Sequence, residues 1–423
     1  MRPSLCKTLA GLAVLLAVPT PSFAQTGLPQ PSSPQARLSE LDAKLRAYPQ
    51  LDAFTLRADA ERERGFAATA LPDPEITMGL NSFPLFAPSF TEYLPTNKSI
   101  GLRQRFPNGD RRDADRDEAF ARASRLDAAR AARLDELRAD LRVQLVTLQR
   151  VQDQLVLLDS RLAKYAELDE IVLAEVDAGE PSLFRLAEIE GERAEVGRRR
   201  VALRAEQRQA AARLRELVGT VPDGINMDPV LREWNAQASA FHAVRVAQET
   251  IDIFSSRIDA ARADYKPDWG VQATYQQREN GLNFDGDDWV SIGVTVSVPL
   301  WKKQKLDPRL RAAQADRSAA MADVQTAARA ALSRYEALDA TRIAARDAVQ
   351  VIETKIAAVE QALADRLVVY ESGQGGYAPI LDGEIAVLAL QGDIVVERAR
   401  EDIAIIRMNG LQVGGLDGGE VQP

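Results

Sequence analysis

Trp289-Val290-Ser291-Ile292-Gly293-Val294-Thr295-Val296-Ser297-Val298 sets Val290, Ile292, Val294, Val296 and Val298 against Ser291, Gly293, Thr295 and Ser297. Successive side chains of a strand point to opposite faces, so the segment predicts a strand with one greasy face and one face of small polar groups. Three other stretches read alike. Asp268 to Gln276 puts Trp269, Val271, Ala273 and Tyr275 opposite Asp268, Gly270, Gln272, Thr274 and Gln276. Ser99 to Phe106 sets Ile100, Leu102 and Phe106 against Ser99, Gly101, Arg103 and Arg105, and Pro74 to Phe83 alternates Ile76, Met78 and Leu80 with Thr77, Gly79 and Asn81. The four strands, each about eight to ten residues long, form two hairpins, 74–107 and 267–299. Such lengths suit strands tilted across a bilayer, with lipid on one face and water on the other. On that reading Val294 and Val296 face lipid while Thr295 and Ser297 face a lumen. Trp269, Trp289, Trp301, Tyr265, Phe83 and Phe106 fall near strand ends, where aromatic girdles belong. A soluble sandwich strand alternates in the same way, so the surrounding chain has to decide.

On either side of the hairpins lie very long helices. From Asp110 to Ala178 there are 69 residues without glycine or proline, and from Arg309 to Ser372 there are 64 more. In the first, Leu134, Leu137, Leu141, Leu145, Leu148, Val151, Leu155, Leu158 and Leu162 recur at steps of three and four, one apolar stripe on a continuous helix. At 1.5 Å per residue each run reaches roughly 100 Å, so the architecture is extended and bundled. An ordinary coiled coil would show the same stripes; the inserted amphipathic strands argue against it.

The two halves repeat. Ser99-Ile100-Gly101 recurs as Ser291-Ile292-Gly293 and Pro107 as Pro299, both 192 positions on. Pro74 corresponds to Pro267, Gly179 to Gly373 and Gly219 to Gly410, at offsets of 193, 194 and 191. A constant offset over this span indicates an internal duplication in which each copy reads helix, strand hairpin, long helix, tight turn, returning helix. Gly179 and Gly373 suit the left-handed residue at a helix end, and Pro181 or Pro379 suits a restart. The expected organisation is therefore a first repeat over 25–230 with its tip near 179, a second over 231–411 with its tip near 373, and a tail over 412–423.

Ahead of the repeats, Arg2 and Lys7 precede the apolar run Leu9 to Val18, and Ser22-Phe23-Ala24 offers the small residues read by a signal peptidase. Residues 1–24 are thus expected to be a signal peptide, with Gln25 as the unlipidated mature start. The single cysteine, Cys6, lies in that segment, so the mature chain would have no disulfide and no thiolate metal site. Loss of Arg2 and Lys7 leaves 51 of the 53 basic residues against 62 acidic ones, which argues against nucleic acid as a partner. No later stretch reaches 18 uninterrupted apolar residues; a β-barrel would escape that criterion.

A duplicated chain of this order, with Tyr370-Glu-Ser-Gly373 before Ile380-Leu381-Asp382 and Arg105-Phe-Pro-Asn-Gly109 after the first hairpin, resembles the TolC family of outer-membrane factors over about Arg37 to Gly410. The resemblance implies mixed α and membrane β structure: a homotrimer whose four strands per chain make a twelve-stranded transmembrane β-barrel in outer-membrane lipid, continued by an α-helical barrel through the periplasm. Part of this follows from physics alone. Four strands do not enclose a lumen, and lipid does not tolerate an open sheet edge, so several chains are required. Two would give eight strands filled by side chains and three would give twelve with room for water; periodicity does not choose, and the family implies three. Gly79, Gly101, Gly270, Ser291 and Gly293 fit a lumen kept clear. The family further implies a passive conduit of a tripartite efflux system, docked to a periplasmic adaptor and an inner-membrane transporter of the RND class. The stretch from Gly79-Leu-Asn-Ser-Phe-Pro84 to Gln104-Arg-Phe-Pro107 is similar to the outer-membrane members of heavy-metal efflux systems. Type I secretion and drug efflux are the other cargoes considered.

Family members place acidic rings at the closed periplasmic tip. Asp382 matches one ring position, whereas the other is Pro379 and the locking aspartate of the first repeat falls at Arg185. The candidate gate is therefore Asp382, Tyr370, Gly373, Arg185 and Gly179, with Arg185 expected against a neighbouring carboxylate; a solvated residue at a helix start is the competing reading of Asp382.

Chemistry beyond a conduit has little support. His242 is the only histidine and reads as a partly buried helix residue. Without a second histidine, a mature cysteine or a phosphate loop, no enzyme, cofactor or metal site is expected. Gln276 to Asp288 has calcium-ligand character but no complete loop pattern, so an exposed hairpin loop is expected. From a different class, a soluble periplasmic coiled-coil adaptor would have one helical hairpin between compact β domains, where this chain has two.

Overall fold

The computed structural model describes residues 34–86, 88, 96–180, 183–278 and 286–417. The leader, Gln25, most of the two loops between paired strands, Pro181 and the last residues of the tail lie outside them. Eleven elements are used below: α1 (Pro34–Arg46), α2 (Pro49–Ala68), β1 (Glu75–Asn81), β2 (Asn97–Phe106), α3 (Gly109–Asp177), α4 (Leu183–Val218), α5 (His242–Ala263), β3 (Asp268–Arg278), β4 (Trp289–Ser297), α6 (Asp307–Glu371) and α7 (Ala378–Leu411). Each hairpin sits between helices, α2 and α3 for the first and α5 and α6 for the second. The amino-terminal half carries an extra helix, because Pro49 starts α2 afresh after Tyr48.

α3 runs unbroken for 69 residues and α6 for 65, each about 100 Å long at 1.5 Å per residue. The side chain of Asn108 caps α3 by accepting from the Asp110 N–H at 3.0 Å. At the far end Gly179 adopts φ +93° and Gly373, which follows α6, φ +75°. Both ends close alike: Gly179 N–H donates to Val176 O and Glu180 N–H to Glu175 O, while Gly373 N–H donates to Tyr370 O and Gln374 N–H to Val369 O. This is the capping expected of a left-handed glycine. Gly219 and Gly410 are not equivalent, however. Gly219 is left-handed just past α4, whereas Gly410 lies inside α7, where an added Cβ would stand 3.0 Å from Ala139 Cβ.

Helix packing follows the strand order. Beneath the sheet the sequence across the layer is α2, α3, α5, α6, and toward the tips it is α4, α3, α7, α6. α5 and α7 thus share one column and meet end to end, tied by pairing of Phe241 with Gln412 and by Val413 N–H to Ala240 O at 2.8 Å. The leucine stripe of α3 supplies both main cores. Leu137, Leu141 and Leu145 pack with Leu41, Leu45, Leu214 and Ile406; Val151, Leu158 and Leu168 pack with Ile189, Val196, Leu203 and Leu381.

Candidate functional site: the sheet faces and the helical tips

The four strands form one antiparallel sheet in the order β1-β2-β3-β4. Its register lines the residues into rows. Ile76, Leu102, Ala273 and Ile292 make one row, Met78, Ile100, Tyr275 and Val290 another, and Val271 with Val294 and Trp269 with Val296 continue the same face. Thr77, Gly101, Thr274 and Ser291 form a row on the opposite face, as do Arg105, Gly270 and Thr295, while Ser297 pairs with Asp268. Val294 and Val296 therefore share one apolar face, and Thr295 and Ser297 share the polar one.

Among the described residues nothing covers the apolar face. Met78 is 80% exposed, Ile292 76% and Val294 68%, and every residue of β4 is exposed. A soluble antiparallel sheet buries its greasy face on a core, and an uncovered apolar surface of this extent marks an interaction with lipid or protein. The polar face is crowded at Gly101, where a Cβ would come within 2.6 Å of Thr77 Oγ1 and 3.2 Å of Thr274 Oγ1, and open at Gly293, where a Cβ would meet nothing within 4 Å. Phe106 stacks on Trp269 at 4.8 Å on the apolar side, near the helices. Trp289 departs from the girdle reading. Its partner is Gln276, which puts it on the polar face, with the Arg278 guanidinium 4.7 Å from its ring centre. Tyr265, after α5, hydrogen-bonds Asp307.

At the other end the two tips lie together. Arg185 in the first turn of α4 donates to Glu188 at 2.9 Å and to Asp382 of α7 at 2.5 Å. The two candidate gate residues thus form one ion pair across the repeats, with Arg185 against a neighbouring carboxylate. Asp382 also stands beyond the first turn of α7, where the helix dipole has faded. The Glu188 carboxylate, joined by Asp382, holds the Arg185 guanidinium further into its charged form. Tyr370 packs against Tyr377 at 5.2 Å, and Arg366 donates to Pro379 O at 2.8 Å. Lys164 of α3 bridges Glu167 at 2.9 Å and Glu384 of α7 at 3.0 Å, so three cationic side chains staple the start of α7. Gly179 and Gly373 act through the backbone turns alone.

Sequence reasoning missed a polar cluster midway along the layer. His242 is buried, not partly exposed, and its Nε2 lies 2.8 Å from Asp135 Oδ2. Arg138 bonds Asp135 at 2.9 Å and Asp417 at 2.7 Å, and Arg142 donates to Leu416 O at 2.8 Å. Asp42 of α1 completes the group, 3.5 Å from Arg138 Nε. Burial pushes the Asp42 carboxyl up against the pull of Arg142 and Arg138. Burial acts likewise on Asp135, but hydrogen bonds from His242 and Arg138 outweigh it and hold that carboxyl down. The cluster ties together α1, α3, α5 and the segment after α7. Among the described residues no group of three or more His, Cys, Asp or Glu is placed to hold a metal, and no helix there is long and apolar enough to cross a membrane. Within 276–288, residues 279–285 lie outside the description; Asp288 accepts from the Tyr275 hydroxyl at 2.5 Å.

No protein-family model and no curated protein matches this sequence. Solved structures do. The chain superposes on CusC, reported with transmembrane channel formation, with a TM-score of 0.74 at 15% identity over 89% of this chain and 92% of that one. For the open state of the MtrE outer membrane channel of Neisseria gonorrhoeae the TM-score is 0.72 at 16% identity, over 90% and 89%. The outer membrane protein VceC of Vibrio cholerae gives 0.69 at 18% identity, over 89% and 97%. The chain has the fold of the TolC-type outer-membrane channels.

Proposed function

We propose that a chain with this fold is one protomer of an outer-membrane export channel, a passive conduit without enzymatic activity. Three copies join β4 of one to β1 of the next, closing a twelve-stranded barrel, and the 100 Å helices carry the lumen into the periplasm. The observation that supports this most is the sheet: one face predominantly apolar, interrupted by Lys98, Gln104 and Gln277, and uncovered among the described residues, the other predominantly polar apart from Trp289, with β1 and β4 both left as edges. Hydrocarbon demands that such edges be paired. The adaptor alternative is disfavoured by two helical hairpins, α3 with α4 and α6 with α7, each attached to membrane-length strands.

The finer reading is a tripartite efflux system in which the tips meet a periplasmic adaptor coupled to an RND transporter. Heavy-metal ions are the cargo favoured by the stretch from Gly79 to Pro107, with drugs and secreted proteins the alternatives. Fractionation followed by planar-bilayer recording tests the core proposal. An oligomer extracted from the outer membrane that dissociates on heating and gives discrete conductance steps supports it; a soluble periplasmic monomer overturns it.

A further inference from the structure

The chain has nine lysines, and three of them, Lys302, Lys303 and Lys305, fall within four positions beginning five residues after the end of β4. They occupy a wide helical turn, Lys302–Leu306, closed by Asp307 N–H donating to Lys302 O and anchored by buried Leu306. All three lysines are exposed, and none of their ammonium groups has a partner among the described residues. Nearby acids are already engaged: Asp264 with Arg111 and Arg309, Asp110 with Lys266, Asp307 with Tyr265, and Asp268 with the Asn108 N–H. Just before the lysines the chain leaves β4 at Ser297 through exposed Val298, Leu300 and Trp301, following exposed Val296 on the apolar face.

Resting on the membrane reading above, we propose that Trp301 with Lys302, Lys303 and Lys305 forms a docking surface for anionic phospholipid headgroups of the periplasmic leaflet. Acyl chains lie along Val296, Val298 and Leu300, the Trp301 ring sits at headgroup level, and the lysine stems reach past it to the phosphates. Charge complementarity selects the occupant, since three exposed lysines have no partner among the described residues while Asp110, Asp264, Asp268 and Asp307 are engaged elsewhere. Each lysine near an anionic surface strengthens attraction to it by roughly fivefold, an effect that falls with salt. Repeated around a trimer, three such surfaces fix the depth and tilt of the barrel at its periplasmic rim.

The test uses the full purified protein in phosphatidylcholine vesicles containing phosphatidylglycerol, with bromine on the acyl chains of one lipid at a time. Quenching of Trp301 is read as the difference from Trp301→Phe. At equal mole fraction, brominated phosphatidylglycerol should quench it severalfold more than brominated phosphatidylcholine. The preference should vanish in the triple variant Lys302→Gln, Lys303→Gln, Lys305→Gln, survive in the triple arginine variant, and weaken at high salt. Equal quenching by both lipids overturns the inference, as does a preference that the glutamine variant keeps. So does a glutamine variant that loosens the oligomer without changing the lipid preference, which would place these lysines against an acid of the neighbouring copy. Trp269 separates this from the membrane reading: if it is quenched while Trp301 shows no headgroup preference, only the headgroup inference falls, and no quenching at either tryptophan overturns both.

Discussion

Arginine at Val294 is the perturbation that most sharply separates a membrane strand from a soluble one. β4 spans nine residues, Trp289–Ser297, so Val294 stands one position from its centre and, in a barrel, close to the bilayer midplane. A lipid-facing arginine there costs about 2 to 4 kcal/mol. Because each barrel would carry three copies, the assembled cost is roughly 6 to 12 kcal/mol, comparable with the whole stability of an ordinary domain. Val296 lies two residues nearer the rim, about 7 Å along the strand and about 5 Å in depth at the usual tilt, so arginine there should cost less. Thr295→Arg places the same charge on the opposite face beside Gly270, in water, and should change stability by no more than about 1 kcal/mol. The assay is the yield of heat-dissociable oligomer in outer membranes and its urea midpoint. Equal losses at Val294 and Thr295 would refute the assignment of faces.

The tip pair gives a prediction of opposite sign for its two members. Both side chains are partly exposed, so neither change should cost more than about 1 kcal/mol of stability. Instead, Asp382→Ala should lower cation selectivity and block by cobalt or a trivalent ammine added from the periplasmic side, and Arg185→Ala should raise both by unmasking the carboxylate. Unchanged currents in both variants would leave the pair as a surface contact. Asp135→Ala removes the buried acceptor of His242 and Arg138 and should destabilise by about 3 to 5 kcal/mol; a urea midpoint within error of the parent would contradict the cluster's role. Asp402 is pushed up to about 7 by burial, with Glu401 and Asp228 adding to it against Arg398. Between pH 4 and 7 the folded chain holds a proton that the unfolded chain has lost, so stability from this group is greatest below pH 4 and falls as pH rises to 7. Asp402→Asn should flatten that part of the melting-temperature profile, and an unaltered profile would exclude it as the source.

What the sequence made legible was whatever repeats at a short period. Val290 to Val298 and Leu134 to Leu162 declare strand and helix because their partners are set by parity or by the helical turn. The glycine turns at 179 and 373 were readable for the same local reason. Long-range chemistry was not. Arg185 is expected against a neighbouring carboxylate, but no periodicity encodes that the partner is Asp382, 197 positions away, or that the buried cluster joins Asp42 to Asp417 through Arg138. Trp289 shows the cost of reading by location instead of parity: it sits at a strand end, yet shares its face with Ser291 and Gly293. Gly410 matched Gly219 by offset while doing a different job, close contact with Ala139 in place of a left-handed turn.

Closure of open four-stranded sheets into a common barrel is the central claim, and the number of chains is its most direct measure. Native mass spectrometry of the detergent-extracted protein should give the mass of three chains, with no folded monomer at equal detergent. A stable monomer or dimer would leave β1 and β4 unpaired, or would close a barrel too narrow for a conduit, and would contradict the account.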